Sequence, residues 1–234
     1  MKLPLADTLL AEQLERLARD KVPAAVQIEL INAATARARQ NPAIKALLDE
    51  REAALNASED PLAPYRVALA GGDKTRGERI FRNQPTLACI RCHRAGGDGG
   101  DAGPNLAGVG AKYTREYLLE SIVKPNAKIA PGFDTIVVTL KNGSAAAGIV
   151  ASESADLLTL RNTENKLVEV KKSDIVKREG APSGMPEIYG PLLTKTQLRD
   201  VMEYMASLKD PAPGIDENKP RALRGLPPPR RTTE

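Results

Sequence analysis

The sequence predicts a mainly α fold with a small antiparallel β insertion and an N-terminal α-helical segment. Three observations carry this. Apolar residues recur at helical spacing through the first 57 residues and again over 198–208. The period falls to two between Asp134 and Arg178, around an Asn142-Gly143 hairpin signal. Between these regions, the two cysteines and the one histidine of the 234 residues share five consecutive positions, 89–93.

Each element has a local reason. Leu10, Leu14 and Leu17 hold helical spacing, as do Val26, Leu30, Ala33 and Ala34, then Ile44, Leu47, Leu48 and Leu55. Pro23 and Pro42 suit first-turn positions, and Asn41 suits an N-cap. Residues 1–57 thus read as two or three amphipathic helices, similar to the end of a helical-repeat array. Residues 58–72, with Pro61, Pro64, Gly71 and Gly72, read as a linker. Asp73 caps a helix carrying Gly77 and Phe81 on one face. A glycine inside a helix costs about 1 kcal/mol against alanine, and close approach by another helix would justify it.

A glycine-rich loop covers 96–110 and Thr114 caps a helix that stops near Pro125. It lacks the Gly-Lys-Ser/Thr ending and the preceding strand of a phosphate loop. The β insertion spans about 134–178, with strands at 134–140, 148–151, 157–161, 167–170 and 175–177, expected to fold outside the core built around residues 89–93. Thr194 and Gln197 form a capping-box pattern opening a last helix with Leu198, Val201, Met202, Met205 and Leu208 on its buried face. Residues 73–210 are expected to form one domain around that insertion. Residues 211–234, rich in proline and arginine, read as a disordered tail.

Composition narrows the function. A net charge of +4 over this length does not call for nucleic acid. No apolar run approaches the ~20 residues needed to cross a bilayer. Tryptophan is absent and aromatics make up 3% of residues, so a bulky apolar cofactor would help fill a core.

Cys89-Ile90-Arg91-Cys92-His93 is a Cys-x-x-Cys-His run, the attachment pattern of c-type haem. Each thiol adds across a vinyl group, and the adjacent histidine faces the iron. Zinc needs about four ligands, and no second Cys or His pair exists. A thioredoxin-like site should follow a strand, whereas a helix precedes this motif. One covalent haem c is expected, held by Cys89 and Cys92 with His93 as proximal ligand. Haem c is attached after export, so a periplasmic or exported setting is expected. Asp7 and Glu12 interrupt any apolar signal core, so the export signal is expected to lie outside this chain.

The order Gly77 and Phe81, Cys89-Cys92-His93, Gly103-Pro104-Asn105-Leu106, Met185-Pro186 and Tyr204 resembles the class I cytochrome c fold. The resemblance implies that the first and last helices cross at Gly77, Phe81 and Tyr204. It also implies that the Pro104 carbonyl holds the second nitrogen of the proximal histidine. A narrower resemblance covers roughly 140 of the 234 residues. Gly71-Gly72-Asp73, Tyr117 to Ile122, Ile129 to Phe133, Ser183-Gly184-Met185-Pro186 and Leu198-Arg199-Asp200 are similar to the haem-binding domain at the C-termini of large planctomycete-type proteins. Relatives of that type often carry helical repeats or a dehydrogenase domain. No dehydrogenase portion is present, so the resemblance implies an electron carrier and not an enzyme.

Met185 is the expected distal ligand by elimination. No second histidine exists, Met1 is terminal, and Met202 and Met205 fall on a helical packing stripe. Met185 lies 92 positions beyond His93, a gap that falls to 47 once the 45-residue insertion is removed. A net charge of +5 over residues 74–94 suggests steering toward an acidic redox partner. The alternatives are a haem-based gas or redox sensor and a structural tether.

Overall fold

The computed structural model describes residues 4–210. Met1 and the tail read over 211–234 lie outside the described residues.

Three helices of equal length open the chain: α1 (Pro4–Ala18), α2 (Ala24–Ala38) and α3 (Pro42–Asn56). The Asn41 side chain accepts hydrogen bonds from the Ala43 and Ile44 amides and starts α3, with Pro42 in its first turn. Pro23 sits one residue earlier than expected, at the cap position of α2. Leu14, Leu17, Val22, Ala34 and Ile44 bury their side chains together. A 3₁₀ segment, Ala63–Leu69, follows and places Ala68 in the central core.

That core is built on α4 (Lys74–Asn83), the four-residue α5 (Cys89–Cys92), α6 (Val109–Lys112), α7 (Arg115–Val123), α8 (Tyr189–Leu192) and α9 (Lys195–Ser207). A two-stranded hairpin, β1 (Arg94–Ala95) and β2 (Asp98–Gly99), leads into the glycine-rich loop. Helices α4 and α9 cross at Gly77, where an added methyl carbon would meet the Asp200 carbonyl oxygen at 1.9 Å. One turn on, the Phe81 and Tyr204 rings pack at 5.5 Å between centroids.

Asp200 is almost fully buried and is paired on every side that matters. It accepts from the Asp73 amide at 2.8 Å and from Arg76 Nε at 2.9 Å, tying the start of α4 to α9. Thr194 and Gln197 form the full capping box at the start of α9. Arg199 reaches back from α9 to Glu29 on α2 at 2.6 Å, and Asn32 donates to Thr196. These bonds dock the N-terminal helices on the last helix.

The expectation of a mainly α fold is corrected here. About 48% of the described residues are helical, and a five-stranded antiparallel sheet makes the class mixed α/β. Its strands are β3 (Thr135–Leu140), β4 (Ala145–Glu153), β5 (Leu157–Arg161), β6 (Leu167–Lys171) and β7 (Ile175–Ala181), in the order β6-β5-β4-β3-β7. The sequence understates this sheet for a physical reason. The first residues of β4 are alanines, and the end of β7 is Lys177-Arg178-Glu179-Gly180, so neither shows apolar alternation. Pairing to β3 carries both: Thr139 opposes Ala145, and Ile136 opposes Gly180. One face of the sheet packs on itself through Val138, Leu158, Leu160 and Val170. The other carries Thr135, Ile149 and Arg161 in one row across three strands.

Candidate functional site

The Cys-x-x-Cys-His run is shaped by a tight turn. Ala88 takes a left-handed conformation (φ 47°), which L residues with a side chain seldom adopt, and α5 follows at once. One helical turn separates Cys89 from Cys92, so both sulfurs sit on the same side. The thiols are unlinked. Burial pushes the Cys89 thiol up to about 11 and raises Cys92 as well, so both remain protonated near neutrality. Both sulfurs border one cavity, where each S–H can add across a double bond of a bound group. Among the described residues, no three His, Cys, Asp or Glu side chains group as a metal site.

His93 follows in extended conformation and turns its ring inward. Its Nδ1 lies 2.9 Å from the Pro104 carbonyl oxygen. A carbonyl only accepts, so Nδ1 carries the proton and the Nε2 lone pair is left for a metal. Burial lowers the pKa of His93, outweighing the Pro104 bond that raises it, and the ring stays neutral. Gly103 closes the ring's other side. A methyl carbon there would stand 2.6 Å from His93 Cε1, so only glycine admits the ring in this position.

Cys89, Cys92, His93, Pro104 and Met185 all line one cavity of about 570 Å³. That volume falls in the ~300–1,000 Å³ range of cofactor sites. Its lining is largely apolar and includes Leu106, Leu118, Ile122 and Phe133. Met185 enters on the loop after β7. Its amide donates to Ser183 Oγ, and the Ser183 amide donates to Asn126 Oδ1 at 2.7 Å, anchoring the loop just past α7. The stripe assignment for the other methionines divides: Met202 is fully buried away from the cavity, whereas Met205 lines it.

The sheet does not lie outside this site, as its reading as a separate insertion suggested. Thr135, Ala147, Gly148, Ile149 and Arg161 form a wall of the cavity. The turn after β5 continues it, bringing the Thr163 carbonyl within 4.0 Å of Cys92 Sγ. Alternation in the sequence separates Thr159 and Arg161 from Leu158 and Leu160. It does not say whether the polar row meets water or another part of the chain, and here it is buried.

The positive cluster over 74–94 is partly spent on structure. Arg82 donates to Glu78 and to the Ala95 carbonyl, both at 2.8 Å. Arg94 Nε lies 2.9 Å from Asp101 Oδ1 as a buried ion pair, though not aligned as a hydrogen bond. Arg76 serves Asp200. Lys74, Arg79 and Arg91 stand exposed.

The residues present fit a covalently held haem. Two protonated thiols, a neutral imidazole with one nitrogen spoken for, a thioether and an apolar cavity converge. Residues 75–160 match the sequence model of the cytochrome c family, described as Cytochrome c. The match supports a haem-binding c-type cytochrome in electron transfer, with covalently bound haem c and its iron. It ends within β5 and does not reach Met185. Cytochrome c domains are typically exported, and no described helix is long and apolar enough to cross a membrane. No curated protein matches the chain.

Proposed function

We propose that the chain is a monohaem c-type cytochrome that carries single electrons in a periplasmic or other exported setting. Cys89 and Cys92 would hold the haem through thioethers, and His93 and Met185 would be ligands to its iron. When bound, the haem supplies an iron that alternates between ferric and ferrous states. The observation that carries this reading is the His93–Pro104 hydrogen bond, which leaves Nε2 unprotonated in a cavity shared with both thiols and Met185. Pro104 fixes the ring and raises its basicity. Gly103 gives the ring room. Ser183 and Asn126 hold the methionine loop, and the apolar walls exclude water. A thioether and an imidazole together as ligands would favour the ferrous state and a higher potential. Lys74, Arg79 and Arg91 would steer an acidic redox partner, and the narrower likeness to planctomycete-type haem domains belongs to the same reading.

The test is the whole chain made with a cytochrome maturation system. Intact mass should rise by one haem that acid–acetone does not extract. The ferric protein should show the weak long-wavelength band of sulfur ligation. Met185→Ala should abolish that band, lower the potential and admit carbon monoxide. Loss of the band in Met205→Ala instead would move the ligand to α9. Rapid carbon monoxide binding by the unaltered reduced protein would favour a gas sensor.

A further inference from the structure

Arg161 carries a buried charge that no carboxylate among the described residues balances. The residue is 8% exposed. Its Nη1 donates to the Asn165 carbonyl at 3.2 Å and to Asn165 Oδ1 at 3.0 Å. Its Nε is buried without a partner. No carboxylate pairs with it among the described residues. Asn165 is held in turn, since its Oδ1 also accepts from the Asp101 amide at 3.2 Å. Its left-handed backbone (φ 63°) aims it into that position. A guanidinium buried without a counter-charge destabilises the fold, because its desolvation is not offset by an opposite charge. Such a group is retained where something else brings the counter-charge.

The position says where that counter-charge would come from. Arg161 faces the cavity that receives Cys89, Cys92, His93 and Met185. Three other cations line it, Arg91, Lys112 and Lys128, but all three are exposed, and Lys128 is bonded to Glu120. In the same row of the sheet stands Thr135, whose Oγ1 is also buried without a partner. A fixed guanidinium and a spare hydroxyl within an apolar cavity suit a planar anion with two oxygens. Haem brings two propionate carboxylates.

We propose that Arg161, oriented by Asn165 and assisted by Thr135, holds a haem propionate, so that the sheet completes the haem site. This rests on the haem-binding reading above. The bond is charge-assisted, and a guanidinium fork matches a carboxylate in shape.

The test uses the whole haem-loaded chain and compares it with Arg161→Gln, Arg161→Lys and Thr135→Val. Intact mass reports attachment. Redox-difference infrared spectra with haem labelled at the propionate carboxyl carbons report the carboxylate itself. Potential is followed against pH. Arg161→Gln should keep its haem and shift the labelled carboxylate band. Without the guanidinium the propionate binds a proton more readily, so the potential should become pH-dependent near neutrality and fall as pH rises. Arg161→Lys should restore most of the flat profile. Thr135→Val should shift the same band less, and it serves if Arg161→Gln does not fold. Unaltered chain that attaches no haem would overturn both readings. Attached haem with the same carboxylate band and pH profile in all four proteins would overturn only this one.

Discussion

The sulfur of Cys92 lies 4.0 Å from the carbonyl oxygen of Thr163, across 71 residues of chain. This contact joins the helical part that carries the Cys-x-x-Cys-His run to the sheet. With Thr135, Ala147, Ile149 and Arg161 lining the cavity beside Gly184 and Met185, it makes the sheet a cover for the cavity.

Removing residues 135–181 and closing the gap with a short linker tests that cover. Haem should still attach, because Cys89, Cys92 and His93 lie outside the deletion. Water should enter the cavity and favour the charged ferric state, so the potential should fall. The methionine loop loses its lead from β7, and the ferric sulfur band should weaken. A redox titration and a spectrum report both. Unchanged values would return the sheet to the periphery.

Gly77→Ala tests the crossing of α4 and α9. The added carbon would stand 1.9 Å from the Asp200 carbonyl oxygen, and backbone cannot rotate away as a side chain can. A loss of about 1–3 kcal/mol or more is expected. Urea unfolding should show a lower midpoint at unchanged slope. A midpoint equal to wild type would mean the helices separate without cost.

Met202→Ala separates packing from ligation. Met202 is fully buried in the central cluster, so its truncation should cost about 2–5 kcal/mol. The sulfur band should persist, because Met202 does not line the cavity. Its loss in this variant would contradict the assignment of Met202 to the core.

Docking of the N-terminal helices should depend on acid. The Arg199 hydrogen bond holds the Glu29 carboxyl below its ordinary value of 4.5. The folded pKa is depressed, so the stabilisation is complete above the ordinary value and is lost as pH falls through the lower folded one. Glu29 is more than half exposed, so the effect is small and salt-sensitive. Amide protection in α2, measured relative to the intrinsic exchange rate at each pH, should fall in acid in wild type, and Glu29→Gln should show the lower protection already at neutral pH. Equal exchange in the two proteins at every pH would remove this pair from the docking.

The sequence by itself determined what is local. Cap chemistry at Asn41, Asp73, Thr114 and Thr194 set the starts of four helices, because a side chain bonding amides two or three residues on needs no distant partner. The five-residue run at 89–93 carried its chemistry because thiol and imidazole spacing is a matter of one helical turn. Tertiary structure decided what depends on distant surfaces. The alanine end of β4 and the polar end of β7 become strands only by pairing with β3. Thr135 and Arg161 lie in strand-like runs, and only the fold turns their face onto the cavity. Asp200 is buried because α4 brings Arg76 against it. Periodicity reports that a strand or helix has two faces; what each face meets is settled only when chain segments far apart in sequence compete to bury the same area.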